Sequence, residues 1–210
     1  MKIPKFLIER YQFWKNNSFE DYKDLYYQAS SSPQKPIAMI ITCCDSRILE
    51  NTIFGGSVGD YFIHRNIANI IPSINDNEKN IQTLSAIEYA FKVLKITNLI
   101  ILGHSNCGGI EYAYKKLKDK NDLNNFEYIS KWTSCLNFSL KNIPKNLSEN
   151  EKLTFLEQEN IKQSIRNLSQ YKFIDKLIND NKLNVIGLWY QIGSGLVKYL
   201  DNKNCFIDLS

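Results

Sequence analysis

The stretch PIAMIITCCDSR, residues 36–47, joins an apolar run to a group of reactive side chains. Its apolar part shows no polar alternation, which is typical of a strand buried on both faces in a parallel sheet. The runs DYFIHRN (60–66), ITNLIILGH (96–104) and LNVIGLWYQI (183–192) are further strand candidates, and we expect the last of them to be the final strand. Residues 81–94 repeat apolar side chains at helical spacing. Strands that alternate with helices predict an α/β fold with a mostly parallel β-sheet flanked by helices.

The N-terminal part differs, because residues 5–28 carry aromatic and aliphatic side chains at helical spacing. The pattern predicts two helical pieces, separated near Asn16–Asn17, within an N-terminal helical arm over residues 1–34. No repeat, low-complexity tract or linker divides the chain. We therefore expect a single domain over residues 1–210, with an α/β core over residues 36–200.

Length and composition indicate an ordinary globular protein of 210 residues, 43% hydrophobic and 23% charged. The net charge is +4 and the lysines are scattered, so no nucleic-acid-binding surface is expected. No stretch approaches the roughly 18 apolar residues of a membrane span, and the N-terminus lacks the features of a secretory signal. We therefore expect a cytoplasmic protein without a membrane partner. The five cysteines are odd in number and irregularly spaced, which disfavours a disulfide framework.

Potential metal ligands follow two of the predicted strands. Cys43 and Cys44 end the first strand, and His104 ends another, with Cys107 three residues later. The carboxyl ends of parallel strands meet at one edge of a sheet, so these side chains can converge. Two sulfurs and one imidazole nitrogen suit tetrahedral zinc and leave a fourth position open, which is the arrangement of a catalytic zinc site.

The choice between the two adjacent cysteines follows from strand geometry. Successive side chains of a strand point to opposite faces, so Cys43 and Asp45 share one side and Cys44 takes the other. An acid beside the metal is useful only if it shares the ligand's side, and this favours Cys43. Cys44 is then expected to be a small buried hydrophobic residue.

Other interpretations of these residues are weaker but remain open. A cysteine–histidine protease could use His104, but Cys107 would then have no role. A thiol-redox protein would be expected to carry a CxxC pair, which is absent. His64 is expected to be a strand residue with a local hydrogen bond, and Ser46 to be a turn residue rather than a nucleophile.

Taken together, the motifs resemble those of the β-class carbonic anhydrases, over about residues 36–200. The similarity rests on C-x-D-S-R, on a later H-x-x-C, and on R-N-x-A-N between them. These motifs contain Cys43, Asp45, Ser46 and Arg47, then Arg65, Asn66, Ala68 and Asn69, then His104 and Cys107. The resemblance implies one zinc ion per chain, bound by Cys43, His104 and Cys107. It also implies a zinc lyase for the reversible hydration of CO₂ to bicarbonate and a proton, by attack of zinc-bound hydroxide on CO₂.

Within this resemblance two charged residues have catalytic roles. Asp45 is expected to orient the attacking oxygen, and Arg47 to hold Asp45 ionised through a bidentate pair if the extended conformation continues past the strand. The pair is also expected to gate the metal, because a released aspartate could occupy the fourth position. CO₂ is small and apolar and needs a dry pocket. The candidates to line this pocket are Ile67, Phe62, Phe54 and Gly108.

Two positions depart from the family pattern. Ser57 stands where many members carry glutamine or another larger side chain. Ile40 stands where a subset of bacterial members has a tryptophan associated with an inhibitory second bicarbonate site, so we do not expect that site here.

The resemblance also implies a homodimer or a dimer-based higher oligomer, with the arm wrapped on the partner subunit. The alternative is that the arm's aromatic side chains pack on their own domain. Two other functions remain open on the same fold. One is hydrolysis of CS₂ or COS, and the other is zinc binding without turnover, with Asp45 closing the site. Since two thiolates weaken the Lewis acidity of zinc, we expect CO₂ hydration to become faster toward alkaline pH.

Overall fold

The structure, a computed structural model, describes residues 2–79, 81–118 and 126–209. Within these residues the strands form one six-stranded sheet in the order β2-β1-β3-β4-β5-β6. The first four strands along this order are mutually parallel, and the last two pair antiparallel. The strands are β1 (Ala38–Cys43), β2 (Tyr61–Asn66), β3 (Asn98–His104), β4 (Asn184–Gln191), β5 (Leu196–Leu200) and β6 (Phe206–Asp208).

Helices cover the sheet and extend the N-terminus, which confirms the α/β class. The α-helices are α1 (Lys5–Asn16), α2 (Ser18–Asp21), α3 (Lys23–Ser30), α4 (Glu50–Ile53), α5 (Ile81–Glu88), α6 (Gly108–Lys118), α7 (Glu127–Thr133), α8 (Asn137–Lys141), α9 (Glu149–Leu168) and α10 (Lys172–Asn179). Short 3₁₀ turns lie at Ile67–Asn69, Ile74–Lys79 and Ser134–Leu136, and α5 continues as a π-turn over Tyr89–Val93. None of the helices in the described part of the chain is long and apolar enough to cross a membrane.

The prediction that β4 is the final strand is wrong. After β4 the chain turns at Gly195, whose φ of +74° favours glycine, and returns as β5 and then β6. The turn closes with a hydrogen bond of 2.9 Å from the Gly195 N–H to the Gln191 carbonyl. Both added strands are antiparallel, and their residues are only partly buried or exposed. They lack the continuous apolar run of a doubly buried strand, and the sheet is therefore mixed.

The centre of the sheet is buried on both faces, as the apolar runs predict. All six residues of β1 are buried. On one face Met39 and Ile41 pack with Leu99 in a large cluster that includes side chains of α5 and α9. On the other face Ile40 packs with Leu102, Ile48 and Leu188. The continuous apolar sequence of β1 thus has a direct cause, since no position of this strand faces water.

The three N-terminal helices contain no buried residue among those that the structure describes. The predicted break near Asn16–Asn17 is confirmed, because Asn17 leaves helical geometry and its side-chain amide donates to the Phe13 carbonyl at 2.7 Å. A second break, at Tyr22, was not predicted. Within the arm Trp14 contacts the rings of Phe19 and Tyr26.

Candidate metal centre

Two parallel neighbours in the sheet bring the predicted ligands together. β1 pairs with β3 from Met39↔Leu99 to Thr42↔Leu102, so their carboxyl ends are adjacent. Cys43 is the last residue of β1, His104 is the last of β3, and Cys107 immediately precedes α6. The side chains of these three residues are buried, and their ligand atoms lie within 4.8 Å of one another. The two sulfurs are 3.8 Å apart.

The imidazole of His104 is oriented for coordination. Its Nδ1 lies 2.9 Å from the Ser105 carbonyl oxygen, so this nitrogen carries the proton and donates. Nε2 is buried and has no hydrogen-bond partner among the described residues. A buried nitrogen with a free lone pair is costly unless it binds something, and a metal-ligating histidine usually has its other nitrogen bonded to a carbonyl or carboxylate.

The two sulfurs are within hydrogen-bonding distance, and either of them can be the donor. This hydrogen bond, assisted by the Ala68 N–H at 3.3 Å from the Cys43 sulfur, lowers the pKa of Cys43. The same bond, together with burial, raises the pKa of Cys107. Two thiolates this close need a cation to be stable in a buried site. The donor set of two sulfurs and one nitrogen therefore fits zinc, with one position left for another ligand.

Asp45 and Arg47 form a bidentate pair beside these ligands. Arg47 donates from Nε to one carboxylate oxygen at 2.9 Å and from Nη2 to the other at 2.7 Å. These bonds hold the pKa of Asp45 well below its usual range. A further bond of 3.0 Å from Arg47 to the Asn106 carbonyl ties the pair to the loop before Cys107. The Oδ2 atom of Asp45 lies 4.0 Å from His104 Nε2.

The backbone conformation behind this pair differs from the expectation. The extended conformation does not continue to Arg47. Instead the chain turns at Ser46 and Arg47, as predicted for Ser46, and the Ile48 N–H bonds to the Asp45 carbonyl at 3.1 Å. The Arg47 N–H also donates to the Asp45 carboxylate at 3.0 Å, which is a typical aspartate turn. A local turn, rather than strand parity, brings the guanidinium to the carboxylate.

Arg65 organises this turn from the neighbouring strand β2. Its guanidinium donates to the carbonyls of Cys43 at 3.0 Å and Ile48 at 2.5 Å, and it pairs at 3.3 Å with the buried carboxylate of Glu50. In the sequence this role of Arg65 is not apparent, and the residue stands out only as part of the R-N-x-A-N motif. Glu50 begins the short helix α4 and its side chain is buried, and a buried carboxylate requires a partner such as this guanidinium.

A cavity of about 340 Å³ adjoins Cys43 and Asp45. Its lining residues are Cys43, Cys44, Asp45, Ile67, Gly108, Gly109, Tyr112 and Ile129. Cys44 is exposed rather than buried, so the expectation of a small buried hydrophobic residue is wrong. It lies beyond the last paired residue of β1, where the sheet no longer covers it.

The predicted pocket residues fall into two groups. Ile67 and Gly108 line the cavity. Phe62 lies in β2 and stacks on Tyr89 with ring centroids 5.9 Å apart, and Phe54 packs beside the cluster around Ile48. Within one chain neither phenylalanine is among the residues that line this cavity.

The second histidine lies apart from these residues. His64 bonds through Nε2 to the Thr83 hydroxyl at 3.1 Å, and burial lowers its pKa. This is the local hydrogen bond expected of a strand residue.

Sequence reasoning missed Glu157, in α9. Its side chain is buried and accepts a hydrogen bond of 3.2 Å from the backbone N–H of Cys107. The signal was a carboxylate within the apolar stripe of a helix, since buried acids require partners.

Comparisons with known proteins agree with this geometry. The family model described as "Carbonic anhydrase" matches residues 38–197. A carbonic anhydrase from Helicobacter pylori (strain J99) is 31% identical over 199 residues, covering 93% of this chain and 89% of that protein. Beta carbonic anhydrase 3 of Arabidopsis thaliana is 32% identical over 185 residues, covering 87% and 70%.

Solved structures are also similar. The β-carbonic anhydrase CcaA matches with a TM-score of 0.89 and 29% identity, covering 98% of this chain and 92% of that one. One of the two tetrameric β-carbonic anhydrases of the ascomycete Sordaria macrospora matches with a TM-score of 0.80 and 28% identity, covering 96% and 97%. The family model spans most of the chain and includes the strands that carry Cys43 and His104. The chain belongs to the β-class carbonic anhydrase family.

Proposed function

We propose that this carbonic anhydrase binds one zinc ion through Cys43, His104 and Cys107 and catalyses the reversible hydration of CO₂ to bicarbonate and a proton. Zinc at this position supplies the Lewis acidity that makes water nucleophilic near neutral pH. The observation that carries the proposal is the bidentate Asp45–Arg47 pair beside an unpartnered histidine nitrogen. The side chains around this position orient the attacking oxygen, keep the open position free and hold the substrate.

Asp45 acts as an orienting acceptor. Its lowered pKa keeps it ionised at neutral pH, so it accepts a hydrogen bond from the attacking water or hydroxide and does not compete as a donor. Both of its oxygens are held by Arg47, which fixes the direction of the remaining lone pairs. Preorganised acceptors of this kind avoid reorganisation during the reaction.

Arg47 also acts as the gate. At 4.0 Å from His104 Nε2, the Asp45 carboxylate is near the ligand set but is held away by the guanidinium. Without Arg47, a rotation of Asp45 would bring an oxygen into the open position. The intact pair therefore favours an enzyme over the alternative of a zinc-binding protein closed by Asp45.

The cavity suits a small apolar substrate. Ile67, Ile129 and the ring of Tyr112 supply apolar walls, and Asp45 is the charged residue among the described lining residues. CO₂ needs no cationic clamp, and apolar walls beside the nucleophile are sufficient to hold it. CS₂ and COS have the same linear shape, so the cavity by itself does not distinguish them.

Stopped-flow CO₂ hydration across neutral and alkaline pH, with zinc content measured on the same samples, tests this proposal. We expect the wild type to become faster toward alkaline pH, and Asp45→Asn to lose about 10²-fold in rate, as for removal of one preorganised hydrogen-bonding group. Asp60→Asn is the matched control, because its carboxylate holds the Ser57 N–H in a turn outside the site. Full activity of zinc-loaded Asp45→Asn would contradict the assigned role. Faster turnover of CS₂ than of CO₂ would favour the alternative substrate.

We also propose that the chain works as a cytoplasmic, dimer-based oligomer in which the arm packs on a second copy. The arm exposes large apolar side chains, including Phe13 at 68% and Tyr11 at 60%. Unpartnered apolar surface of this extent typically marks an interaction site. The related Sordaria macrospora proteins are described as tetrameric. If Phe62 contacts substrate, as the sequence predicted, it must do so across such an interface.

A further inference from the structure

Helix α9 carries a stripe of buried polar residues on the face that packs against the loops around the candidate metal centre. Glu157, Asn160, Ser164 and Asn167 follow one another at helical spacing and are all less than 5% exposed. Buried polar groups are costly unless they are hydrogen-bonded. Each of these side chains bonds to the backbone of a loop at the carboxyl edge of the sheet, so the stripe is a bonding surface for these loops.

Glu157 holds the loop that presents Cys107. One carboxylate oxygen accepts the Cys107 N–H at 3.2 Å, and the other accepts the indole N–H of Trp189 at 3.1 Å. Trp189 is a buried residue of β4, 4% exposed, and its ring has little freedom. The carboxylate therefore ties Cys107, immediately before α6, to strand β4 at the centre of the sheet.

Asn160, one helical turn later, holds the loop that contacts Cys43. Its side-chain amide donates to the Ala68 carbonyl at 2.7 Å, and the Ala68 N–H points at the Cys43 sulfur at 3.3 Å. Ala68 has a φ of +63°, in the left-handed region that alanine rarely adopts. A conformation of this kind costs about 1–3 kcal/mol and persists only when surrounding contacts enforce it.

We propose that Glu157 and Asn160 are positioning residues that together set the placement of the two cysteine sulfurs and thereby the metal affinity of the site. This inference rests on the proposed zinc site. Neither residue is a ligand. Glu157 acts through the backbone of Cys107, and Asn160 through the hydrogen bond that Ala68 makes to the Cys43 sulfur.

The chain offers a matched pair for the test. Asn160→Leu and Asn167→Leu each remove a side-chain amide bond of 2.7 Å to a loop carbonyl from the same buried face, and Asn167→Leu also removes the acceptor of the Gln163 and Gln170 amides. Only the first loop carbonyl belongs to the residue that bonds a sulfur. Glu157→Gln is the third variant. The two carboxylate oxygens of Glu157 each accept one N–H donor, whereas the amide of glutamine has only one acceptor oxygen.

The measurements are zinc affinity by chelator competition, the absorption spectrum of the cobalt-substituted protein, and urea unfolding of the metal-free protein. We expect Glu157→Gln and Asn160→Leu to weaken zinc binding by about 10–100-fold and to alter the thiolate–cobalt bands. We expect Asn167→Leu to lose comparable stability while zinc affinity and spectrum stay near those of the wild type.

Equal effects of Asn160→Leu and Asn167→Leu on zinc affinity would overturn the proposal, because the stripe would then be purely structural. If Glu157→Gln does not fold, Trp189→Phe removes one anchor of the carboxylate without touching the loop, and unchanged zinc affinity in that variant would count against the role of Glu157. A wild type that binds no zinc would instead refute the proposed function.

Discussion

The sheet with its covering helices and the N-terminal arm differ in how much apolar surface they bury within one chain. Every residue of β1 is buried, whereas none of the described residues of α1, α2 or α3 is. The sheet is stabilised by its own apolar burial. The arm consists of short helices, which are marginal in water without packing, and its aromatic rings contact one another rather than the sheet core. The comparison shows that the sheet buries its apolar side chains within one chain, whereas the arm leaves its own apolar side chains largely exposed.

The largest effect is expected from a change to one of the three proposed metal ligands in the sheet region. His104→Ala should remove zinc and reduce CO₂ hydration by at least about 10³-fold, because metal catalysis supplies much of an acceleration that spans 10⁶-fold or more in enzymes. Metal analysis and stopped-flow assays check this. His64→Ala is the matched control, since the His64 imidazole bonds to the Thr83 hydroxyl, away from the three proposed ligands, and this variant should retain zinc. Retention of zinc by His104→Ala would show that the three residues are not the ligands.

The next largest effect concerns the burial of apolar side chains, in which the sheet and the arm differ. Leu102 is fully buried in β3, and Leu102→Ala should lower the free energy of unfolding by about 2–5 kcal/mol through lost transfer free energy and the cavity that remains. Urea unfolding of the metal-free protein gives the value. A loss below 1 kcal/mol would mean that the sheet is packed more loosely than its burial indicates.

A smaller effect distinguishes how helices in the two regions begin. In α9 the Ser148 hydroxyl and the Glu151 carboxylate form a reciprocal capping box, whereas α1 starts after Pro4 without a side-chain cap. Ser148→Ala should cost about 1 kcal/mol of unfolding free energy. Pro4→Ala should be nearly neutral in the same urea titration. Equal costs for the two changes would remove this difference between the regions.

The smallest effect on the sheet region is expected from the arm. Phe13→Ala should change the unfolding free energy by no more than about 0.5 kcal/mol at protein concentrations where the chains are dissociated, because the ring is mostly exposed. It should nevertheless weaken self-association, measured by sedimentation over a concentration series. Gln12→Ala, on the same helix and also exposed, is the control. Unchanged association in Phe13→Ala would argue that the arm does not pack on a second copy through this face.

Much of the sheet and of the site could be predicted, because the relevant signals are local. The continuous apolar runs of β1 and β3 require burial on both faces, and their order with intervening helices predicts parallel pairing. Cys43 and His104 end these strands, so pairing alone brings them to one edge. The parallel pairing and the convergence of the candidate ligand atoms follow from patterns only a few residues long, whereas the strand order comes from the structure.

Other features escaped prediction because they depend on contacts between distant segments. The antiparallel β5 and β6 are only partly buried or exposed and show no strong pattern. The exposure of Cys44 depends on where the sheet stops covering the chain. The bond from Cys107 to Glu157 joins residues 50 positions apart, and no local periodicity encodes it.

The α/β class, the parallel centre of the sheet and the candidate ligands follow from the amino-acid pattern alone, because apolar periodicity and strand ends are properties of consecutive residues. The turn that joins Arg47 to Asp45, the buried polar face of α9 and the exposure of the arm become visible only in the folded chain. The physical reason is that hydrogen bonding and burial depend on which segments meet in space. The role of a buried polar group can therefore be assigned only when its partner is known.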